Sequence, residues 1–247
     1  MGLSMLPFIF LTQLLAIVFA ARRATQLSLI DRNPKKMIHI GLILQMVWAA
    51  ASSILAIGGV FQHPRFLAAW PAFWLTFIAV ILVVVPWIFS TRIKYALRRL
   101  IDSVPLHWIV GFQGLRVLAV GSVVKALNGE FSRYFAFYVG IPDLVFGISA
   151  IVMARLVYRK EVGHGMVIVW NLIGATIIVP IGIILLQMGL PGAWHVFSDS
   201  PTIATIFQFP MALAPTVVVP IFVMMNLFTA IRLMERRAWA RGEKAPA

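Results

Sequence analysis

Residues 37–60 read MIHIGLILQMVWAAASSILAIGGV, and the six residues before them read DRNPKK. No Asp, Glu, Lys or Arg interrupts the longer stretch. A helix rises about 1.5 Å per residue, so about 20 apolar residues cross the roughly 30 Å hydrocarbon core of a bilayer. Residues 37–60 therefore read as a membrane-crossing helix with a basic cluster at its start. Working outward, six further runs of this kind appear, from about Leu3 to Ala20, Trp70 to Phe89, His107 to Leu127, Phe135 to Val157, Gly165 to Met188 and Phe207 to Leu233. The pattern predicts an all-α, polytopic transmembrane helix bundle of about seven helices, forming one domain over residues 1–247. The first run resembles a signal peptide in length, but it lacks a basic amino-terminal region and is followed by Arg22 and Arg23. It reads as a retained helix.

Composition agrees with the runs. Of 247 residues, 61% are hydrophobic and 12% are charged, whereas a soluble domain carries about a quarter charged residues to cover its surface. The formal charge of +13 would point to nucleic acid in a soluble protein. Here the basic residues sit in short clusters between apolar runs, which is topological patterning, and no nucleic-acid partner is expected. The expected partners are the lipid bilayer and other membrane protein subunits. With no cysteine in the chain, disulfides, thiolate metal sites and cysteine nucleophiles are excluded.

Lys and Arg accumulate in short cytoplasmic loops, and the loops here are lopsided. The first holds Arg22, Arg23, Arg32, Lys35 and Lys36; the third Arg92, Lys94, Arg98 and Arg99; the fifth Arg159 and Lys160, with Arg155 nearby. The carboxyl-terminal tail adds Arg232, Arg236, Arg237, Arg241 and Lys244, while the alternate loops hold little beyond Arg65, Lys125 and Arg133. Seven crossings put all four clusters on one side. The prediction is an amino terminus outside and a carboxyl terminus in the cytoplasm, in a bacterial inner membrane.

Prolines occur within the runs, at Pro86, Pro142, Pro180 and the series Pro210, Pro215 and Pro220. Each removes a backbone hydrogen bond, and in lipid the freed carbonyl must find a neighbouring helix, hydroxyl or water. The seventh run is therefore expected to be kinked and packed inside the bundle.

An ionisable side chain in hydrocarbon costs about 3 kcal/mol or more and normally faces the bundle interior with a partner. Arg116 on the fourth run and Asp143 on the fifth both approach the midplane, and consecutive helices are antiparallel neighbours. Their charges can offset each other's desolvation. Gly140, Asp143 and Gly147 share one face, where small residues permit close approach. Gln113 shares a face with Arg116. Two readings stand: an ion pair that locks two helices together, and a substrate-binding site built on Arg116, Asp143, Gln113 and Asn171. Gln45, Asn171 and Asn226 are further amides that join Gln113 in lining one polar cavity, or else make separate interhelical hydrogen bonds.

His39, His107 and His164 begin the second, fourth and sixth runs on one side, a placement open to a metal or haem but equally to interfacial residues; no HExxH or similar spacing backs them, and no metal site is assigned. The cofactor stays open. His63 and His195 fall in the opposite loops. Trp70, Trp108 and Trp194, near run ends, fit an aromatic belt. A retinal protein needs a Schiff-base lysine in the seventh helix, and residues 207–231 have none. No phosphate-cradling glycine loop or serine, histidine and acid set is visible, so an enzyme is not favoured.

Four segments, FQGLRVLAVG with Phe112, Gln113 and Arg116, GIPDLVFG with Asp143 and Gly147, WNLIG with Trp170 and Asn171, and FPMALAPTVVVP, resemble a family of uncharacterised bacterial integral membrane proteins without an assigned function. They span roughly the last 140 residues. The chain departs from that pattern at Pro142, where a glycine is expected, near Ile177, where an acid is expected, and near Asn226, where a histidine is expected. The resemblance implies a seven-helix fold and a pairing of Arg116 with Asp143. The expected function is binding or passage of a small polar solute through a polar site in the bundle; the alternative is a structural or accessory subunit docking on a larger membrane complex.

Overall fold

The computed structural model describes residues 4–69 and 74–240, so Leu3, Trp70, Arg241 and Lys244 lie outside the described residues. The described chain is helical: α1 (Leu6–Gln26), α2 (Arg32–Ile57), α3 (Trp74–Phe89), α4 (Thr91–Asp102), α5 (Leu106–Leu127), α6 (Arg133–Tyr158), α7 (His164–Gly189) and α8 (Ala214–Ala240). Six of these are long and apolar enough to cross a membrane, and seven crossings result if α3 and α4 form one broken span. Their outward faces are apolar, with Val47, Ile54, Ile151 and Val169 exposed. Lipid is the solvent that suits such faces.

The third run departs from the expectation of a helix followed by a basic loop. The chain turns by 111° between α3 and α4. Ser90 is the extended residue at the corner, and its hydroxyl accepts from the Ile93 amide at 3.4 Å, capping α4. Within α4, Ile93, Ala96, Leu97, Leu100 and Ile101 recur at the helical spacing of one apolar stripe. Arg92, Lys94, Arg98 and Arg99 occupy the remaining surface, so the residues expected as a loop form an amphipathic helix laid across the bundle end.

Contacts fix which ends meet. In the last turn of α1, Arg23 donates to the Ser103 carbonyl at 2.6 Å. In the last turns of α8, Arg232 donates to both Asp102 carboxylate oxygens at 2.9 and 2.7 Å, and Arg236 to one of them at 2.5 Å. Arg98 meets Glu235 through Nε at 2.9 Å and Nη2 at 2.5 Å, and Arg232 reaches the other Glu235 oxygen at 2.9 Å. The ends of α1, α4 and α8 thus gather at one basic end of the bundle. Burial pushes the Asp102 carboxyl up, but hydrogen bonds and charges from Arg232 and Arg236 outweigh it and hold the group below the usual carboxylate range. At the other end Phe66 packs on Phe61 and Phe207 with ring centroids 4.9 and 5.8 Å apart.

The start of α8 is a π-helical turn, Ala214–Val218, beside Pro215 and Pro220. Pro220 cannot donate to the Thr216 carbonyl four residues back, and Trp48 Nε1 from α2 donates to it instead at 3.1 Å. Thr76 Oγ1 from α3 donates to the Pro215 carbonyl at 2.9 Å, and Gln13 Nε2 from α1 to the Val218 carbonyl at 3.0 Å. Neighbouring helices satisfy the irregular helix, as its prolines require. Further irregularities in the spans include a π-helical stretch at Ala136–Gly140, just before Pro142, and a break in α7 ahead of Pro180.

Candidate polar site in the bundle

Helix α5 tightens to 3₁₀ geometry over Gln113–Ala119, longer than the three or four residues usual for that helix, and 3₁₀ geometry makes side chains at i and i+3 eclipse. Gln113 therefore stands directly over Arg116. Both are buried, at 1% and 2% exposure. The α5–α6 contact permits this because Gly147 faces the Arg116 backbone: a Cβ there would overlap the Val117 nitrogen and lie 2.7 Å from the Arg116 carbonyl carbon. One turn earlier on α6, Asp143 Oδ1 accepts from Arg116 Nε. The expected pairing is present, through one nitrogen and one oxygen rather than a bidentate fork.

The rest of the guanidinium is held by groups the sequence did not single out. Nη1 donates to the Gly174 carbonyl on α7 at 2.9 Å. The Phe146 ring lies 4.4 Å beneath the guanidinium carbon and stacks on Trp170, centroids 4.5 Å apart and 19° from parallel. Trp170 is fixed in turn by donating from Nε1 to Ser149 Oγ at 3.1 Å. Phe222 of α8 approaches from another side at 6.0 Å. Such stacking stabilises a desolvated cation by about 2 kcal/mol. Gly174 has a second role, because a Cβ there would overlap the Phe146 ring and come within 2.7 Å of Asn226 Nδ2.

Asn226, fully buried on α8, thus joins the cluster through Gly174. Asn171 is buried on α7, one turn from Gly174, and its Nδ2 donates back to the Val167 carbonyl at 2.8 Å. Gln45 does not join them. It donates to the Ala79 carbonyl at 2.8 Å and lines a separate apolar cavity. His39 Nδ1 lies 2.7 Å from the Lys35 carbonyl, and His107 packs edge-on to Tyr158 at 5.1 Å. Among the described residues no group of three His, Asp or Glu side chains is placed to hold a metal ion.

Both polar atoms of Gln113, both of Asn226, and Arg116 Nη2 are buried without a hydrogen-bond partner. A buried polar group left unpaired costs about 1–3 kcal/mol, and Gln113, one 3₁₀ turn from Arg116, and Asn226, beside Gly174, bring such groups to the ion pair's neighbourhood. Together they offer donors from Gln113, Arg116 and Asn226 and acceptors from the two amides, with no nucleophile and base set.

Fold and site together define a polytopic helical membrane protein with a buried Arg–Asp centre. The chain belongs to a family described as a domain of unknown function, DUF8737, whose model matches residues 72–234. The match takes in Gln113, Arg116, Asp143 and Asn171 and leaves α1, all of α2 and residues 58–71 outside it. No curated protein and no solved structure matches the chain.

Proposed function

We propose that the chain is a multi-pass inner-membrane protein that binds a small polar solute, or lets it pass, at the centre formed by Gln113, Arg116, Asp143 and Asn226, with Asn171 beside it. The observation that carries this reading is the set of unpartnered, buried polar atoms around Arg116. A solute bearing a carboxylate or an amide matches them. Its oxygens accept from Arg116 Nη2, Gln113 Nε2 and Asn226 Nδ2, and an amide or ammonium donates to the two amide oxygens. Asp143, whose side chain is 15% exposed, holds Arg116 through Nε and leaves Nη2 for the solute. The prolines and non-α turns of α6, α7 and α8 flank this centre, and such turns recur at functional sites.

The gathering of Arg and Lys at the end with α4 supports a cytoplasmic placement of that end, with the amino terminus outside and the carboxyl terminus inside. Tags on the two ends reporting from opposite compartments agree with it, and tags reporting from one compartment overturn it. The site reading is tested by thermal unfolding of the detergent-purified protein against a panel of small carboxylates and amides. At least one is expected to raise the midpoint of the wild type and not that of Gln113→Leu or Asn226→Leu. A panel that moves neither, or moves wild type and variants equally, contradicts the site.

A further inference from the structure

An apolar cavity of about 670 Å³ lies between α1, α2, α3, α5 and α8, with α4 across one end. Its volume falls within the roughly 300–1,000 Å³ of small-molecule sites. Helix α4 turns its whole apolar stripe, Ile93 to Ile101, toward it. Of the few polar side chains on its wall, Gln45 Nε2 donates to the Ala79 carbonyl at 2.8 Å and Thr229 Oγ1 to the Met225 carbonyl at 2.7 Å. Gln45 Oε1 is unpartnered and His107 packs edge-on to Tyr158, and the rest of the wall is overwhelmingly apolar. The cavity is distinct from the Arg116 centre, since Phe112, on its wall, packs on Phe222, which faces Arg116.

The cavity opens sideways. Phe19 of α1 and Trp108 of α5 both line it, pack with ring centroids 6.0 Å apart and are 47% and 50% exposed, so this side of the cavity faces lipid. It also reaches Met37 and Ile93, the residues that follow Lys36 and Arg92. Lys35, Lys36 and Arg92 make no salt bridge with a carboxylate among the described residues, unlike Arg98 and Arg232, which are held by Glu235 and Asp102. An apolar chamber open to lipid, with free cations beside its end, matches one chemistry.

We propose that this cavity holds an acyl chain of an anionic phospholipid, entering from the lipid-facing side that Phe19 and Trp108 mark, with its headgroup phosphate at Lys35, Lys36 and Arg92. The apolar wall replaces neighbouring lipid around the chain, and the basic rim supplies the preference for a negative headgroup. Gly41 offers a clean way to fill the chamber, because it lines the cavity and a Cβ there meets nothing within 4 Å. Gly121 is equally open and lies outside the cavity wall, which makes it the matched control.

The test reconstitutes the full chain in vesicles of equal parts phosphatidylglycerol and phosphatidylcholine, re-extracts it in detergent, and measures retained phospholipid by native mass spectrometry. The wild type and Gly121→Phe are expected to retain about one phosphatidylglycerol per chain. Gly41→Phe is expected to lose it, and Lys35→Ala with Lys36→Ala and Arg92→Ala to retain lipid without headgroup preference. Should Gly41→Phe fail to fold, Gly41→Leu makes the same measurement. Wild type that retains no phospholipid, retains both lipids equally, or matches the Gly41 variant overturns the proposal.

Discussion

Two arginine–carboxylate clusters in this molecule invite comparison. At the basic end, Arg232 forks onto both oxygens of Asp102 and reaches Glu235, which also takes Arg98. In the bundle interior, Arg116 gives one nitrogen to Asp143 and another to a backbone carbonyl, and its third is unpartnered beside two unpartnered amides. The first cluster is saturated; in the second Arg116 is buried and under-satisfied, beside an Asp143 side chain that is 15% exposed. Saturation suits a clamp that pins an amphipathic helix to the bundle. Incomplete pairing in the more costly environment suits a site that a solute completes.

The contrast can be broken most forcefully at Arg116. Arg116→Met leaves the Asp143 carboxylate without its cation and is expected to cost about 3–5 kcal/mol. Adding Asp143→Leu should recover most of that loss, because an apolar pair of similar volume often replaces a buried ion pair without penalty. Thermal midpoints of the two single variants and the double variant read this out. Equal losses in the single and double variants would show that the guanidinium is held mainly by Gly174 and Phe146.

At the clamp, Asp102→Asn removes the acceptor of three charged hydrogen bonds and is expected to cost about 2–3 kcal/mol. The depressed Asp102 ionisation adds a pH signature. Its contribution is complete above the unfolded-state carboxylate range and is lost as pH falls through its lower folded value. Wild type should lose stability on that acid limb, and Asp102→Asn should lose less over the same interval. Below both clusters in size is the helix contact itself: Gly147→Ala forces α6 off the Arg116 backbone and should cost about 1–2 kcal/mol, measured in the same unfolding series. The smallest effect belongs to the exposed Arg159–Glu161 pair, 3.6 Å apart, where Arg159→Ala should change stability by less than about 0.5 kcal/mol.

Much of the frame was legible in the sequence because lipid imposes a length and a polarity on each crossing. The run from residue 37 falls in α2 as far as Ile57, three residues short of its expected end, the run 165–188 lies within α7, and the prolines of α8 marked the region whose carbonyls Trp48 and Thr76 satisfy. The Arg116 and Asp143 contact was legible for the same reason, since two opposite charges at one depth have few other partners. What escaped was information held in geometry. The 3₁₀ turn that sets Gln113 over Arg116 has no composition of its own. Gly174 lay within a quoted motif, but its part as acceptor and spacer depends on α5, α6 and α8 meeting there. Phe146, three residues past Asp143 and so on its face, was a usable signal. Helix α4 was hidden by counting its basic residues and passing over the apolar spacing between them, and Asp102 and Glu235 with it.

The central claim is that the Arg116 centre is reached from water, and the absence of cysteine makes one measurement direct. Single variants Gln113→Cys and Ala150→Cys, both at buried positions of 1% and 0% exposure, are reacted in sealed vesicles with a membrane-impermeant cationic thiol reagent. The account predicts that Gln113→Cys reacts and that Ala150→Cys, within an apolar cluster, does not. Equal inertness of the two would contradict it.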